Sequence, residues 1–138
     1  MKISPTERSD DVIEQIINAH IVLTDEIMPN GVIRFSDGVI NYIGRDADTN
    51  IESFDADGAY VLPGFVDIHC HGGNGYDFMD ATTDEMIEIS RFHLSHGTTT
   101  LVPTTMTDRW EAIRASLDTF ASIPERDRLT MHGHYSLG

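Results

Sequence analysis

The sequence predicts an α/β chain in two parts: a small β-domain over residues 1–60 and a strand–helix–strand–helix–strand unit over residues 61–138. Before Tyr60, strand-length apolar runs are punctuated by turn residues. After it, strands alternate with helix-length amphipathic stretches. Such βαβαβ alternation implies a parallel sheet with helices packed outside it. No internal repeat or low-complexity tract interrupts either part.

In the first part, Ile16 to Thr24 and Gly31 to Ser36 read as strands, and Val39 to Ile43 as a returning strand. Asp37-Gly38 lies between the last two, and this dipeptide favours a tight hairpin because both residues tolerate positive φ. Ala47 to Asp57 is acidic and loop-like, with a short strand at Ile51 to Phe54. Met1 to Glu14 is polar and acidic and reads as disordered. It lacks the basic and apolar regions of a signal peptide, and no later window approaches ~18 apolar residues. The expectation is a protein neither secreted through a conventional signal nor membrane-spanning. With Cys70 the only cysteine, no intramolecular disulfide can form, and a reducing compartment is the simplest reading.

In the second part, Pro63-Gly64 starts a strand, Phe65 to Ile68 reads as buried and parallel, and His69-Cys70-His71 ends it before Gly72-Gly73. Thr82 with Glu85 forms a capping-box signature. Met86, Ile87, Ile89 and Leu94 give the helix an apolar face, and Gly97 closes it. Thr98 to Val102 is the second strand. Asp108 with Glu111 opens a second helix whose Trp110, Ile113, Leu117 and Phe120 form one stripe for packing on the sheet, and Pro124 ends it. Leu129 to His132 is the third strand.

The chemistry concentrates at His69 and His71. Residues two apart on a strand project together, so both imidazoles leave the C-terminal end of the strand on one face and supply half of a four-coordinate metal site. A second such pair, His132 and His134, shows that spacing alone is weak evidence. What distinguishes the first pair is the buried strand before it and the glycines after it. By the same parity Cys70 faces away, as a small buried apolar residue, while Asp67 faces with the histidines one layer below, either to orient an imidazole or to satisfy nearby backbone donors. His93 and His96 read as helix-packing residues near a helix C-terminus, far from the strand tips, and His20 as structural. The run Gly72 to Phe78 admits two readings, amides facing a substrate or a turn needing positive φ. Asp77 and Asp80 are too near the helix start to separate catalysis from favourable charge there.

The stretch Leu62 to Gly72 resembles the first barrel strand of the amidohydrolase superfamily. Gly72-Gly73-Asn74-Gly75-Tyr76-Asp77-Phe78-Met79-Asp80-Ala81-Thr82, His96-Gly97-Thr98-Thr99-Thr100 and Pro103-Thr104-Thr105 resemble, more narrowly, its N-acetylglucosamine-6-phosphate deacetylase family. That resemblance implies the first three strands of a metal-dependent (β/α)8 hydrolase barrel, preceded by a small β-sandwich-type domain. It also implies removal of acetate from an amino-sugar phosphate in the cytoplasm, with one or two divalent ions, zinc or iron, held in part by His69 and His71, in a homodimeric full-length enzyme. In that family a general-base aspartate and two histidines come from later strands, and a glutamate ligand follows the third.

A complete barrel needs ~250 residues, against 138 here. The expectation is therefore an N-terminal portion, weakly active or inactive and poorly stable alone, since an opened barrel leaves a strand edge unpaired. Where the family has a His-Leu-Glu-Gly-Pro type run, this chain has His132-Gly133-His134-Tyr135-Ser136 and no glutamate. The last residues diverge, or His132 or His134 takes the ligand's place. Nine basic against twenty-three acidic residues give a net charge of −14, which argues against a nucleic-acid partner gripped through its phosphates. An anionic sugar phosphate then needs local donors. Two other functions fit the residues: hydrolysis of a cyclic amide by the same superfamily, and a non-catalytic remnant or interaction module.

Overall fold

The computed structural model describes residues 13–131 and the backbone of residues 135 and 136. The expected disorder before residue 13 and the ligand alternatives His132 and His134 lie outside the described residues. The chain divides into two compact units at Pro63/Gly64.

The first unit is one mixed sheet. Strands β1 (Gln15–Val22), β2 (Ile27–Ser36) and β3 (Val39–Gly44) form an antiparallel meander. Two short strands, β4 (Ser53–Asp55) and β5 (Tyr60–Val61), lie parallel to β1 along its other edge. The predicted hairpin is present: Asp37 and Gly38 have φ of 51° and 75°, the double positive φ of a tight primed turn. Ala19, Ile21, Ile33 and Ala56 make a small core, with Ile16, Leu23 and Val61 packed against it. Gln15 is fully buried, and its amide is satisfied by the Asp48 carbonyl, the Asp48 amide and Ser53 Oγ. One buried side chain thus ties the acidic loop to the sheet, as burial of an amide requires.

The second unit follows the predicted alternation. Strand β6 (Phe65–Cys70) leads to a minimal hairpin, β7 (Gly72–Gly73) and β8 (Tyr76–Asp77), and then to helix α1 (Thr83–Ser95). Strand β9 (Thr98–Thr105) returns parallel to β6, helix α2 (Trp110–Ser122) follows, and β10 (Tyr135–Ser136) adds parallel to β9. Thr82 and Glu85 close a complete capping box on α1, and Gly97 leaves the helix at φ 92°. Cys70, Phe78, Met86, Ile89, Leu101, Phe120 and Met131 share one core between helices and sheet.

Several expectations change. The third strand lies at Tyr135–Ser136, and Met131 makes only a single bridge to Leu101. Phe65, Val66 and Ile68 are 57%, 63% and 71% exposed rather than buried, because β6 has β9 as its one neighbour among the described residues. No side chain caps α2: Asp108 accepts from the Arg109 amide instead of reaching further into the helix. Trp110 stands exposed at the first residue of α2, so the packing stripe starts at Ile113.

Candidate metal centre

The tip of β6 is shaped by what stands opposite it. Pro103 of β9 pairs with Cys70 and has no N–H to give, so the regular ladder ends there. The Cys70 amide donates instead to Thr104 Oγ1, at 3.3 Å. Beyond that point the chain is held by separate ties. The Phe78 amide donates to the His71 carbonyl at 2.8 Å, and the His71 ring pairs through Nδ1 with the Thr104 carbonyl at 2.9 Å.

Because a carbonyl can only accept, His71 Nδ1 must carry the proton, which leaves Nε2 with a free lone pair. That lone pair meets His69. The two Nε2 atoms are 3.0 Å apart, with ring planes at 86° to each other. Two nitrogens bound at about 2.0–2.1 Å to a common ion stand about 2.8–3.4 Å apart when their bonds diverge by roughly 90–110°, and the observed spacing lies toward the narrow end of that range, so the pair could hold a divalent cation. His69 is exposed and His71 half-buried, which leaves the pair open to solvent and to a ligand. Backbone orientation of a ring through its second nitrogen is the usual support for a metal-ligating histidine. Here Thr104, a residue not singled out in the sequence, provides it.

Asp67 departs from its expected place. The β6–β9 register shifts between Asp67 and Cys70, so the simple alternation of faces fails across this step. Of its two expected roles the structure shows the backbone one: Asp67 Oδ1 accepts from the His69 amide, and its carboxylate lies within 4.8 Å of Cys70 Sγ and the His93 ring. Cys70 is 5% exposed and faces the helices, as parity requires. Burial pushes its thiol above the ordinary value, and the Asp67 charge adds to that, against a lowering by the Gly72 backbone.

His93 is not remote from the strand tips. Its Nε2 lies 3.1 Å from the Gly72 carbonyl and 3.4 Å from Cys70 Sγ. A signal for this was present in Gly72-Gly73: a Cβ on Gly73 would come within 2.8 Å of His93 Nε2. His96 does stay at the helix end, bonded to the Phe92 carbonyl. In the glycine-rich run, Asn74 and Gly75 adopt φ of 53° and 87° between β7 and β8, so a turn accounts for those two. Asp77 is also structural, accepting from the Met79 amide through Oδ1.

No protein-family model matches the chain. It is 32% identical over 100 residues to an N-acetylglucosamine-6-phosphate deacetylase of Bacillus subtilis, covering 70% of this chain and 25% of that one. It is 30% identical over 112 residues to an N-acetylgalactosamine-6-phosphate deacetylase of Escherichia coli O157:H7, covering 80% and 29%. Among solved structures, N-acetyl-D-glucosamine-6-phosphate deacetylase of Mycobacterium smegmatis superposes with a TM-score of 0.75 at 27% identity, over 91% of this chain and 32% of that one. A D-hydantoinase superposes at 0.56 and 24% identity over 89% and 26%, a likeness of fold alone. The chain therefore spans about a quarter to a third of the length of the proteins it matches. It is a homologue of the N-terminal portion of these deacetylases, which are hydrolases.

Proposed function

We propose that this chain carries the first-strand metal ligands, His69 and His71, of a deacetylase acting on N-acetylglucosamine 6-phosphate. The observation that carries this reading is the convergence of two Nε2 atoms at 3.0 Å on a strand tip, in a chain matched to enzymes of that name. In this reading the second unit forms the opening strands of a (β/α)8 barrel, and the first unit contributes to a β-sandwich-type domain.

When bound, a divalent ion such as zinc or iron supplies a Lewis acid for the acetamide carbonyl and an acidic water. The chain's own contribution is to hold and orient. His69 and His71 bring their Nε2 atoms together at the tip, and Thr104 keeps the His71 tautomer. The general-base aspartate and the remaining ligands are supplied by residues other than those described. Catalysis by the chain alone is therefore expected to be weak or absent.

The substrate reading favours an acetamido sugar over a cyclic amide, since the sequence relatives that match most of this chain are deacetylases of N-acetylhexosamine 6-phosphates. Two measurements test it. Elemental analysis of the zinc-loaded chain is expected to find bound metal that is lost in His69→Ala/His71→Ala. Grafting residues 64–131 into a full-length deacetylase is expected to preserve acetate release from N-acetylglucosamine 6-phosphate. A graft that folds, binds metal and opens hydantoins while sparing the acetamido sugar would move the protein to the cyclic-amide class.

A further inference from the structure

We propose that His93 of α1 is a positioning residue for the His69–His71 pair, acting through the carbonyl of Gly72; this rests on the reading of that pair as metal ligands. The need for such a residue follows from the backbone. Ladder pairing with β9 stops at Cys70, and the residue after His71 is a glycine, the most freely rotating residue available. Past the pair the chain is tied at the His71 carbonyl by the Phe78 amide and at Gly72 by pairing with Asp77, and a further tie at the Gly72 carbonyl joins it to α1.

His93 supplies that restraint from 21 residues away. Its Nε2 lies 3.1 Å from the Gly72 carbonyl, where an N–H donates, and Cys70 Sγ donates to the same oxygen at 3.2 Å. The carbonyl is thus held from two sides, one on the strand and one on the helix. The ring reaches it because Gly73 has no Cβ, which would stand 2.8 Å from Nε2 and 3.2 Å from the neighbouring Phe92 ring. His93 is half-buried and α1 is anchored in the core by Met86 and Ile89, so the restraint is backed by packed structure.

The competing role for His93 is direct ligation, since Asp67, Cys70 and His93 offer atoms within 4.8 Å of one another. Against it, Cys70 Sγ and His93 Nε2 both turn to the Gly72 carbonyl and satisfy each other's surroundings without an ion. Positioning needs no further group.

The test titrates cobalt(II) into the full chain and follows its visible absorption. His93→Leu is expected to weaken cobalt(II) binding by about 10–100-fold, the usual range for loss of an outer support, with the stoichiometry unchanged. His93→Gln, whose side-chain amide can reach the same carbonyl, is expected to restore affinity to within a few-fold. Gly73→Ala disturbs the same tie from the strand side and stands in if His93→Leu does not fold. Wild-type affinity in both His93→Leu and Gly73→Ala overturns the proposal, as does loss of one bound ion per chain in His93→Gln, which would make His93 a ligand. Absence of wild-type binding, or binding that survives His69→Ala/His71→Ala, instead overturns the metal reading of the pair and this proposal with it.

Discussion

The Nε2 atoms of His69 and His71 face each other across 3.0 Å, and among the described residues only one of the rings is tied through its other nitrogen, His71 to the Thr104 carbonyl. The pair is therefore asymmetric: His71 is pre-oriented and His69 is free to adjust. If the pair holds a divalent ion as proposed, removing either ring would leave a single ligand on the strand and forfeit the high effective concentration that the second one would enjoy. Zinc affinity measured by competition with a chromophoric chelator is expected to drop about 100-fold or more in His69→Ala and in His71→Ala alike. A loss confined to one of them would mean the rings do not act as a pair.

Thr104 is fully buried and holds the tip twice, through its carbonyl to the His71 ring and through Oγ1 to the Cys70 amide. Thr104→Val keeps the shape and the carbonyl but strands that amide donor. Denaturant unfolding is expected to show a loss of about 1–3 kcal/mol, the cost of an unsatisfied buried amide. Because the His71 tautomer depends on the carbonyl alone, metal affinity is expected to change less than in the histidine variants.

Much of this arrangement was legible from residues because its signals are local. The period of two puts His69 and His71 together, Thr82 and Glu85 announce a helix start that forms as a full capping box, and Asp37-Gly38 gives its hairpin. The failures are non-local. Asp67 was misplaced by one register shift, which no count along β6 can foresee because it depends on pairing with β9. His93 was misplaced because the distance from a helix end to a strand tip depends on how far the hairpin β7–β8 carries the chain before α1 begins. Thr104 was read only as part of the Pro103-Thr104-Thr105 resemblance, with no role of its own, because its contribution is a backbone carbonyl, which side-chain chemistry does not advertise.

Glu85 accepts from both the Thr82 amide and the Thr82 hydroxyl, and these bonds hold its carboxyl below the usual carboxylate range, the backbone bond foremost. A carboxylate with a depressed value in the folded state adds stability above its unfolded value, about 4.3, and loses it as pH falls through the folded value below that. Thermal unfolding of wild type and Glu85→Gln should therefore differ at pH 7 and converge toward pH 3. Thr82→Ala removes the cap hydroxyl and is expected to cost about 1 kcal/mol at neutral pH.

Cys70 is 5% exposed, donates to the Gly72 carbonyl, and has its thiol pushed up by burial. Alkylation needs the thiolate, so two barriers act together, access and ionisation. Iodoacetamide labelling at pH 8 is expected to be much slower in the native chain than in urea, and to track the opening of the β6 tip rather than the intrinsic reactivity of a thiol. The sign with pH follows from the raised value: the folded state keeps the proton, so this group's contribution to stability is complete below the unfolded thiol value of about 8.5 and declines as pH climbs through the higher folded one. His93→Leu removes the second donor on Gly72 and is expected to speed labelling. An unchanged rate in that variant, measured by mass spectrometry of the quenched protein, would mean that the tip opens without releasing the Gly72 carbonyl from α1.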